Sequence, residues 1–406
     1  MKSPNEPIRV LYSFPMKLGG GRVNTTAWYQ VTGVAAAGAK VSVFPGSIHT
    51  PVSEAINVFP TLARGRIRIP YRLLGRLPAY ALHDYIVSRR LGALVGKIDI
   101  IHTWPLGALR TLKVAAQLGI PTVLERPNAY TGFAFEVVQR ECERLGVTMP
   151  EGHEHTYNPE VLRIEEEEYR LADRLLCPSD FVARTFLEQG FPREKLARHQ
   201  YGYDDKIYHP LSEKPEAGSG LMVLFVGGCA PRKGLHYALQ AWLQSPAHRN
   251  GIFQIAGAFI PGYAEKLATM LSDPSVRVLG HRSDIPELMR QSDILVLPSI
   301  EEGSALVTAE ARGSGCVLLV SEAAGAICRP GEDALVHQVG DVDTLATHIR
   351  MLHEDRMLLK RLRAMSLKTL HEITWTAAGR RLLDVYRDTI ALRSETRAPF
   401  YDVSVI

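Results

Sequence analysis

Glu302 and Glu310 are two carboxylates with seven residues between them, placed where a strand hands over to a helix. Residues 294–297 form an apolar run of strand length, and the small-residue string Pro298-Ser299-Ile300-Glu301-Glu302-Gly303-Ser304-Ala305 follows it. That order predicts a buried strand, a tight loop and a helix. Glu302 then falls at the strand's carboxyl end, and Glu310 about two turns into the helix on nearly the same side. Open α/β sheets bind ligands at that edge. Two carboxylates at different depths there can take hydroxyl pairs of two sugars of one ligand. The plain alternative is a Glu302 that caps the helix and a Glu310 that is a solvated helical charge.

A second candidate precedes it. Phe225-Val226-Gly227-Gly228 ends an apolar run, and Arg232-Lys233-Gly234 opens the next helix. Free amides, the helix dipole and two cations make such a turn a site for a di-anion; solvated surface cations are the alternative. Gly19-Gly20-Gly21, after the first apolar run, fails the dinucleotide fingerprint because the second strand ends Val43-Phe44-Pro45 with no acid. A loop that meets a phosphate through its amides, or a tight turn, remains. His153-Glu154-His155 lacks a nearby third ligand and reads as a solvated loop rather than zinc. Asp341 reads as a helix cap rather than a magnesium ligand, and the run Glu165 to Glu168 as a solvated helical face. No metal is expected, and no G-x-S-x-G elbow exists.

The elements that must position these residues alternate. Strands are expected at residues 8–13, 40–44, 98–102, 121–124 and 175–178, with helices at 24–37 and 106–118 between them. A polar stretch, 203–220, separates this half from a second series with strands at 221–226, 252–256, 276–279, 294–297 and 317–320. Such alternation implies parallel strands joined by right-handed crossovers, hence an α/β class with two Rossmann-like halves facing across a cleft. A chain of 406 residues suits two domains of that kind.

Composition narrows the partners. Hydrophobic residues are 46% and charged residues 22%, the balance of a globular chain. Charges or prolines break every apolar stretch before it reaches membrane-spanning length, and the polar start shows no signal peptide, so a cytoplasmic location is expected. Five cysteines without a C-x-x-C pair argue against a disulfide framework. The net charge of +4 points to no nucleic acid. Residues 63–92, however, hold seven arginines against the single acid Asp84, interleaved with Ile67, Tyr71, Leu73 and Leu77. That composition suits peripheral docking on an anionic membrane, an anionic acceptor, a subunit contact or an ordinary helix.

Together these residues resemble the retaining family-4 glycosyltransferases of GT-B fold, whose signature is E-x7-E within Pro-Ser-x-x-Glu-Gly-Phe-Gly-Leu-Val-x-x-Glu. Residues 293–299, Glu302-Gly303, Leu306-Val307 and Glu310 match that string. Arg232-Lys233-Gly234 matches the family's basic turn, and residues 279–288 resemble its base-binding segment. Residues 168–179 and 201–204 resemble the end of its acceptor domain, while Trp375 and the helix after it fit its C-terminal end.

The resemblance implies an acceptor-binding domain at 1–205, a donor-binding domain at 206–387, and a C-terminal segment, 388–406, packing back on the first. The amphipathic stretch 376–392, with Leu382, Leu383, Val385 and Tyr386, supplies an apolar face for that packing. Lys233 and Arg232 are implied to hold the diphosphate of a nucleotide-sugar donor. Glu302 and the amides from Gly303 through Ser304 and Ala305 to Leu306 hold its sugar and phosphate, and Glu310 its ribose. Gly20, Gly21, Gly228, Leu279 and Val307 complete the implied donor surface, and His102, Arg126 and Asn128 the implied acceptor surface. Transfer to a sugar, lipid-linked or small-molecule acceptor is implied to retain configuration without metal or cofactor. A nucleotide-sugar epimerase or hydrolase and a catalytically silent sugar binder are the competing readings.

The chain departs from the family pattern at four places. Gly228 stands where an arginine is common, and Ser304-Ala305 replaces Phe-Gly. Glu125-Arg126-Pro127-Asn128 occupies a loop that typically carries a histidine, and Tyr201-Gly202-Tyr203-Asp204 replaces Asn-Gly-Val-Asp.

Overall fold

The strands of the first half are β1 (Arg9–Leu18), β2 (Lys40–Ile48), β3 (Asn57–Val58), β4 (Ala63–Arg64), β5 (Ile67–Arg68), β6 (Ile100–Thr103), β7 (Thr122–Glu125), β8 (Arg174–Cys177) and β9 (Leu196–Arg198). In the computed structural model, which describes residues 6–21, 23–64, 67–68, 74–211 and 220–395, seven of them form one parallel sheet in the order β3-β2-β1-β6-β7-β8-β9. The pair β4 and β5 is a separate antiparallel hairpin.

The second half supplies β10 (Met222–Val226), β11 (Ile252–Ala256), β12 (Val276–Gly280), β13 (Ile294–Leu297), β14 (Val317–Ser321) and β15 (Ala334–His337). They form a parallel sheet in the order β12-β11-β10-β13-β14-β15. Chain direction across each sheet therefore reverses once, between β1 and β6 in the first and between β10 and β13 in the second. Those reversals leave crevices at the strands' carboxyl ends, where open sheets take ligands. Their loops hold the glycine triplet in one domain, and Arg232-Lys233 and Glu302 in the other.

Two expected helices start late, each for a tertiary reason. The helix expected from residue 106 begins at Leu109. Buried Asp84 accepts the amides of Arg110 and Thr111 at 2.7 and 2.9 Å, and buried Glu168 accepts those of Leu106 and Ala108 at 2.8 and 2.9 Å. These carboxylates satisfy the donors that a helix start leaves open. The helix expected from Lys233 is a 3-10 turn over Pro231–Lys233, and the α-helix runs Leu235–Gln244. Gly234 joins them at φ +68°, where a side chain would lie 2.0 Å from the Pro298 carbonyl. Only glycine fits that approach.

The C-terminal helix, Trp375–Glu395, returns to the first domain from its first turns rather than from residue 388. It crosses the Val23–Ala36 helix where Gly33 meets Gly379; a Cβ on Gly379 would sit 2.6 Å from the Gly33 carbonyl carbon. Leu382, Leu383, Val385 and Tyr386 join the core formed by Val10, Tyr12 and Val31. Among the described residues no helix is long and apolar enough to cross a membrane. Most of the basic stretch between Arg64 and Leu73 lies outside them.

Candidate active site in the interdomain cleft

Strand β10 and the 3-10 turn carry Arg232 and Lys233 to the loop after β13, where Glu301 and Glu302 wait. The Lys233 Nζ pairs with Glu302 Oε1. Arg232 Nη1 lies 3.1 Å from Glu302 Oε2, 3.1 Å from Glu301 Oε2 and 2.7 Å from the Glu301 carbonyl. Glu301 has no exposed surface and Glu302 very little. Burial pushes the Glu302 carboxyl up, but Arg232 and Lys233 outweigh it and hold the group below its ordinary range. Burial pushes Lys233 down despite Glu302. Two cations and two carboxylates thus sum to zero in a largely buried site, where charge–charge terms are stronger than in water.

Glu301 was not singled out from the sequence, yet it joins the domains. Its Oε1 accepts the amide of Ala129 at 3.0 Å. Beside it, a Cβ on Gly303 would lie 1.8 Å from the Pro127 carbonyl, so the loop after β13 touches the loop after β7 through bare backbone. The signal available was the doubled glutamate before a glycine; nothing in it told which carboxylate faces the other domain.

The structure brings Arg232, Lys233 and Glu302 together and sets Glu310 apart. Glu310 bonds Tyr208, and burial raises its carboxyl to about 7. Tyr29 donates to Asp204 nearby at 2.5 Å and stacks on Trp375 with ring centroids 4.7 Å apart. Ala305 is buried and its amide donates to the Ala324 carbonyl at 3.0 Å; Ser304 is half-buried. Leu306 packs on Tyr201 and Trp375, and Val307 and Leu279 on the second core. Gly228 is exposed with open space around it, as is Gly21. Gly20 is exposed at φ +94°, with the His49 ring 2.6 Å from where a Cβ would stand.

On the acceptor side one expectation is corrected. His102 is wholly buried, its Nδ1 2.7 Å from the Tyr386 hydroxyl of the C-terminal helix and its ring stacked on Tyr12. Burial lowers its pKa to about 3, so it is a neutral core histidine, not an acceptor contact. Its neighbour Glu125, also fully buried, accepts from Gln30 at 2.7 Å and Tyr201 at 3.0 Å and lies 3.0 Å from His199 Nε2.

Arg126 and Asn128, by contrast, line a cavity of about 150 Å³ with Trp104, Tyr80, Arg76 and His155. Arg126 is nearly fully buried, 3.3 Å from Glu165 Oε2 and over the Tyr169 ring at 4.4 Å. Glu165 and Glu168 are therefore interior groups, not a solvated face. The 153–155 loop is corrected in part: Glu154 is exposed as a solvated loop requires, but His155 is buried, with its Nδ1 4.0 Å from Glu301 Oε2. The Thr131–Leu145 helix before it packs on the second domain, where Glu141 lies 2.7 Å from His236 Nε2 and Val147 enters the core. Asp341 caps its helix by accepting the Thr344 amide at 2.9 Å.

Comparison with known proteins agrees with this geometry. Residues 19–206 match the family described as Glycosyltransferase Family 4, and residues 220–355 that described as Glycosyl transferases group 1. An Escherichia coli UDP-Gal:alpha-D-GlcNAc-diphosphoundecaprenol alpha-1,3-galactosyltransferase is 23% identical over 279 residues, 64% of this chain and 68% of that protein. The O-antigen chain mannosyltransferase B of E. coli is 23% identical over 53% of each chain, so the match spans about half of that relative. The crystal structure of Anabaena HepE with UDP superposes at a TM-score of 0.64, with 17% identity, over 94% of this chain and 100% of that one.

Proposed function

The chain belongs to the family-4 glycosyltransferases of GT-B fold, and from there we propose that it moves a sugar from a nucleotide diphosphate to a lipid-linked sugar acceptor in glycan or glycolipid synthesis. The observation that carries this reading is the Arg232–Lys233–Glu301–Glu302 cluster at the crevice between β10 and β13. Breaking the bond between sugar and phosphate moves negative charge onto the diphosphate. Preorganised cations at that place lower the barrier. Glu310, about one turn along the Leu306–Gly313 helix rather than the two expected, is assigned the ribose hydroxyls.

Retention is taken from the family resemblance, and the seat of Glu302 only bears on how it would be reached. Its carboxylate is occupied by both cations, which makes it a poor nucleophile, so the acceptor hydroxyl is read as attacking on the face the phosphate leaves. Arg232 and Lys233 supply the two positive charges the leaving group needs, and the reading gives no step to a divalent cation. The relative that transfers to a diphosphoundecaprenol-linked sugar supports a lipid-linked acceptor. Exposed Arg76, which lines the cavity, is assigned the acceptor's diphosphate, and the arginine-rich composition of residues 63–92 is read as suiting an anionic membrane surface.

Nuclear magnetic resonance of the products, formed with EDTA present, tests this reading. Net transfer with retained anomeric configuration is expected. Inversion, a strict metal requirement, or donor hydrolysis and epimerisation that ignore added acceptors would each refute the corresponding part.

A further inference from the structure

Glu301 reaches both halves of the molecule, and the proposed reaction gives it no task of its own. It has no exposed surface. Its Oε1 accepts the amide of Ala129 at 3.0 Å, in the loop after β7. Its Oε2 lies 3.1 Å from Arg232 Nη1, and the same nitrogen donates to the Glu301 carbonyl at 2.7 Å. Both carboxylate oxygens face donors, the pattern of the ionised form, which only accepts. Glu302 differs, because its partners Arg232, Lys233 and Ser299 all belong to the second half.

The tie to the first domain is made at two neighbouring points. Gly303 meets Pro127 and Glu301 meets Ala129, so the two loops run side by side in a fixed register. Pro127, Asn128 and Ala129 also line the cavity of the first domain. Glu301 therefore acts on the cluster in two opposed ways. It pins the Arg232 guanidinium, and it cancels one of the two positive charges that a diphosphate would meet. A carboxylate beside a di-anion is repulsive, so donor affinity alone gives no reason for Glu301. Placement does.

We propose that Glu301 is a positioning residue that lowers donor affinity and raises turnover, by holding Arg232 in register with the cavity-lining loop of the first domain. This rests on the glycosyltransferase reading and adds a residue to its site. Glu301 acts through Arg232 and exchanges no proton. With Arg232 pinned, the cation that meets the leaving phosphate stands at a set distance from the acceptor cavity, and small misplacements of such a group are costly.

The test uses the full chain, with UDP affinity read by calorimetry and turnover read as transfer from UDP-galactose to a synthetic N-acetylglucosaminyl-diphospholipid. Glu301→Gln keeps an acceptor for the Ala129 amide and loses the charge. It is expected to bind UDP about threefold tighter or more, while turnover falls about tenfold. Glu301→Asp keeps the charge but is one methylene too short to span both contacts, so turnover is expected to fall without any gain in affinity. In an Arg232→Gln background, Glu301→Gln is expected to cost no further turnover. That pair removes both charges together and carries the comparison if Glu301→Gln alone lowers the melting temperature. Full turnover in Glu301→Gln, or a further loss in the Arg232→Gln background, overturns this inference and leaves the glycosyltransferase reading intact. Weaker UDP binding in step with lost turnover overturns it too, because Glu301 would then be structural. A wild type that neither binds UDP nor transfers overturns the reading it rests on, and the inference with it.

Discussion

At the scale of residues, Glu310 sets a pH dependence that can be worked out in sign. Its folded carboxyl titrates at about 7 because burial disfavours the ion. A carboxyl raised above its unfolded value holds its proton more tightly when folded. Its contribution to stability is therefore greatest in acid and is lost as pH rises from the ordinary carboxylate range to about 7. Ribose hydroxyls donate best to the ionised form, so donor affinity is expected to rise with pH up to about 7 and then level off. In Glu310→Gln the affinity should be weaker and flat across that window, as titration calorimetry at several pH values reads directly. The sequence showed Glu302, Glu310 and the cations because their chemistry depends on loop and helix spacing, which is local. Glu301 escaped it because its contacts, with Ala129 above all, run across the domain boundary. His102, an acceptor contact only by resemblance, misled for the mirror-image reason: the C-terminal helix, far along the chain, covers it.

At the scale of elements, the crossing of the Val23–Ala36 and Trp375–Glu395 helices locks the chain's end to its beginning. Backbone meets backbone at Gly33 and Gly379, a distance at which no side chain fits. Gly379→Leu is expected to force the helices apart and to destabilise the protein by about 1–3 kcal/mol, seen as a lower urea midpoint. An unchanged midpoint would mean the helix does not need that contact. The central strands of both sheets were legible because buried parallel strands read as continuous apolar runs, whereas the short edge strands β3, β9 and β15 and the Thr131–Leu145 helix were not placed. Helix starts were not legible either. The helix at Leu109 begins where Asp84 and Glu168, from two other helices, accept its leading amides, and no local cap marks the place. The turn at Pro231–Lys233 depends on Gly234 meeting the Pro298 carbonyl, a contact made by a loop far along the chain.

At the scale of the whole molecule, the two sheets turn their crevices toward one another, and the Thr131–Leu145 helix spans them through the Glu141–His236 pair. Charge is unevenly spread. The seven arginines of residues 63–92 exceed the chain's net charge of +4, and each basic group near an anionic surface contributes about 1 kcal/mol. Co-sedimentation with anionic vesicles is therefore expected to exceed that with neutral ones and to fall when Arg72 and Arg76 are reversed in charge. Equal recovery on both lipids would remove the membrane from the account. The central claim, though, is that Arg232 and Lys233, gripped by Glu301 and Glu302, are the seat of a nucleotide diphosphate. Calorimetric titration of the wild type and Lys233→Ala with UDP, GDP and ADP, in EDTA, tests it most directly. Saturable binding of at least one of the three by the wild type is predicted, weakened in Lys233→Ala by about 2 kcal/mol or more. Equal affinity in the two proteins, or no binding by either, would contradict it.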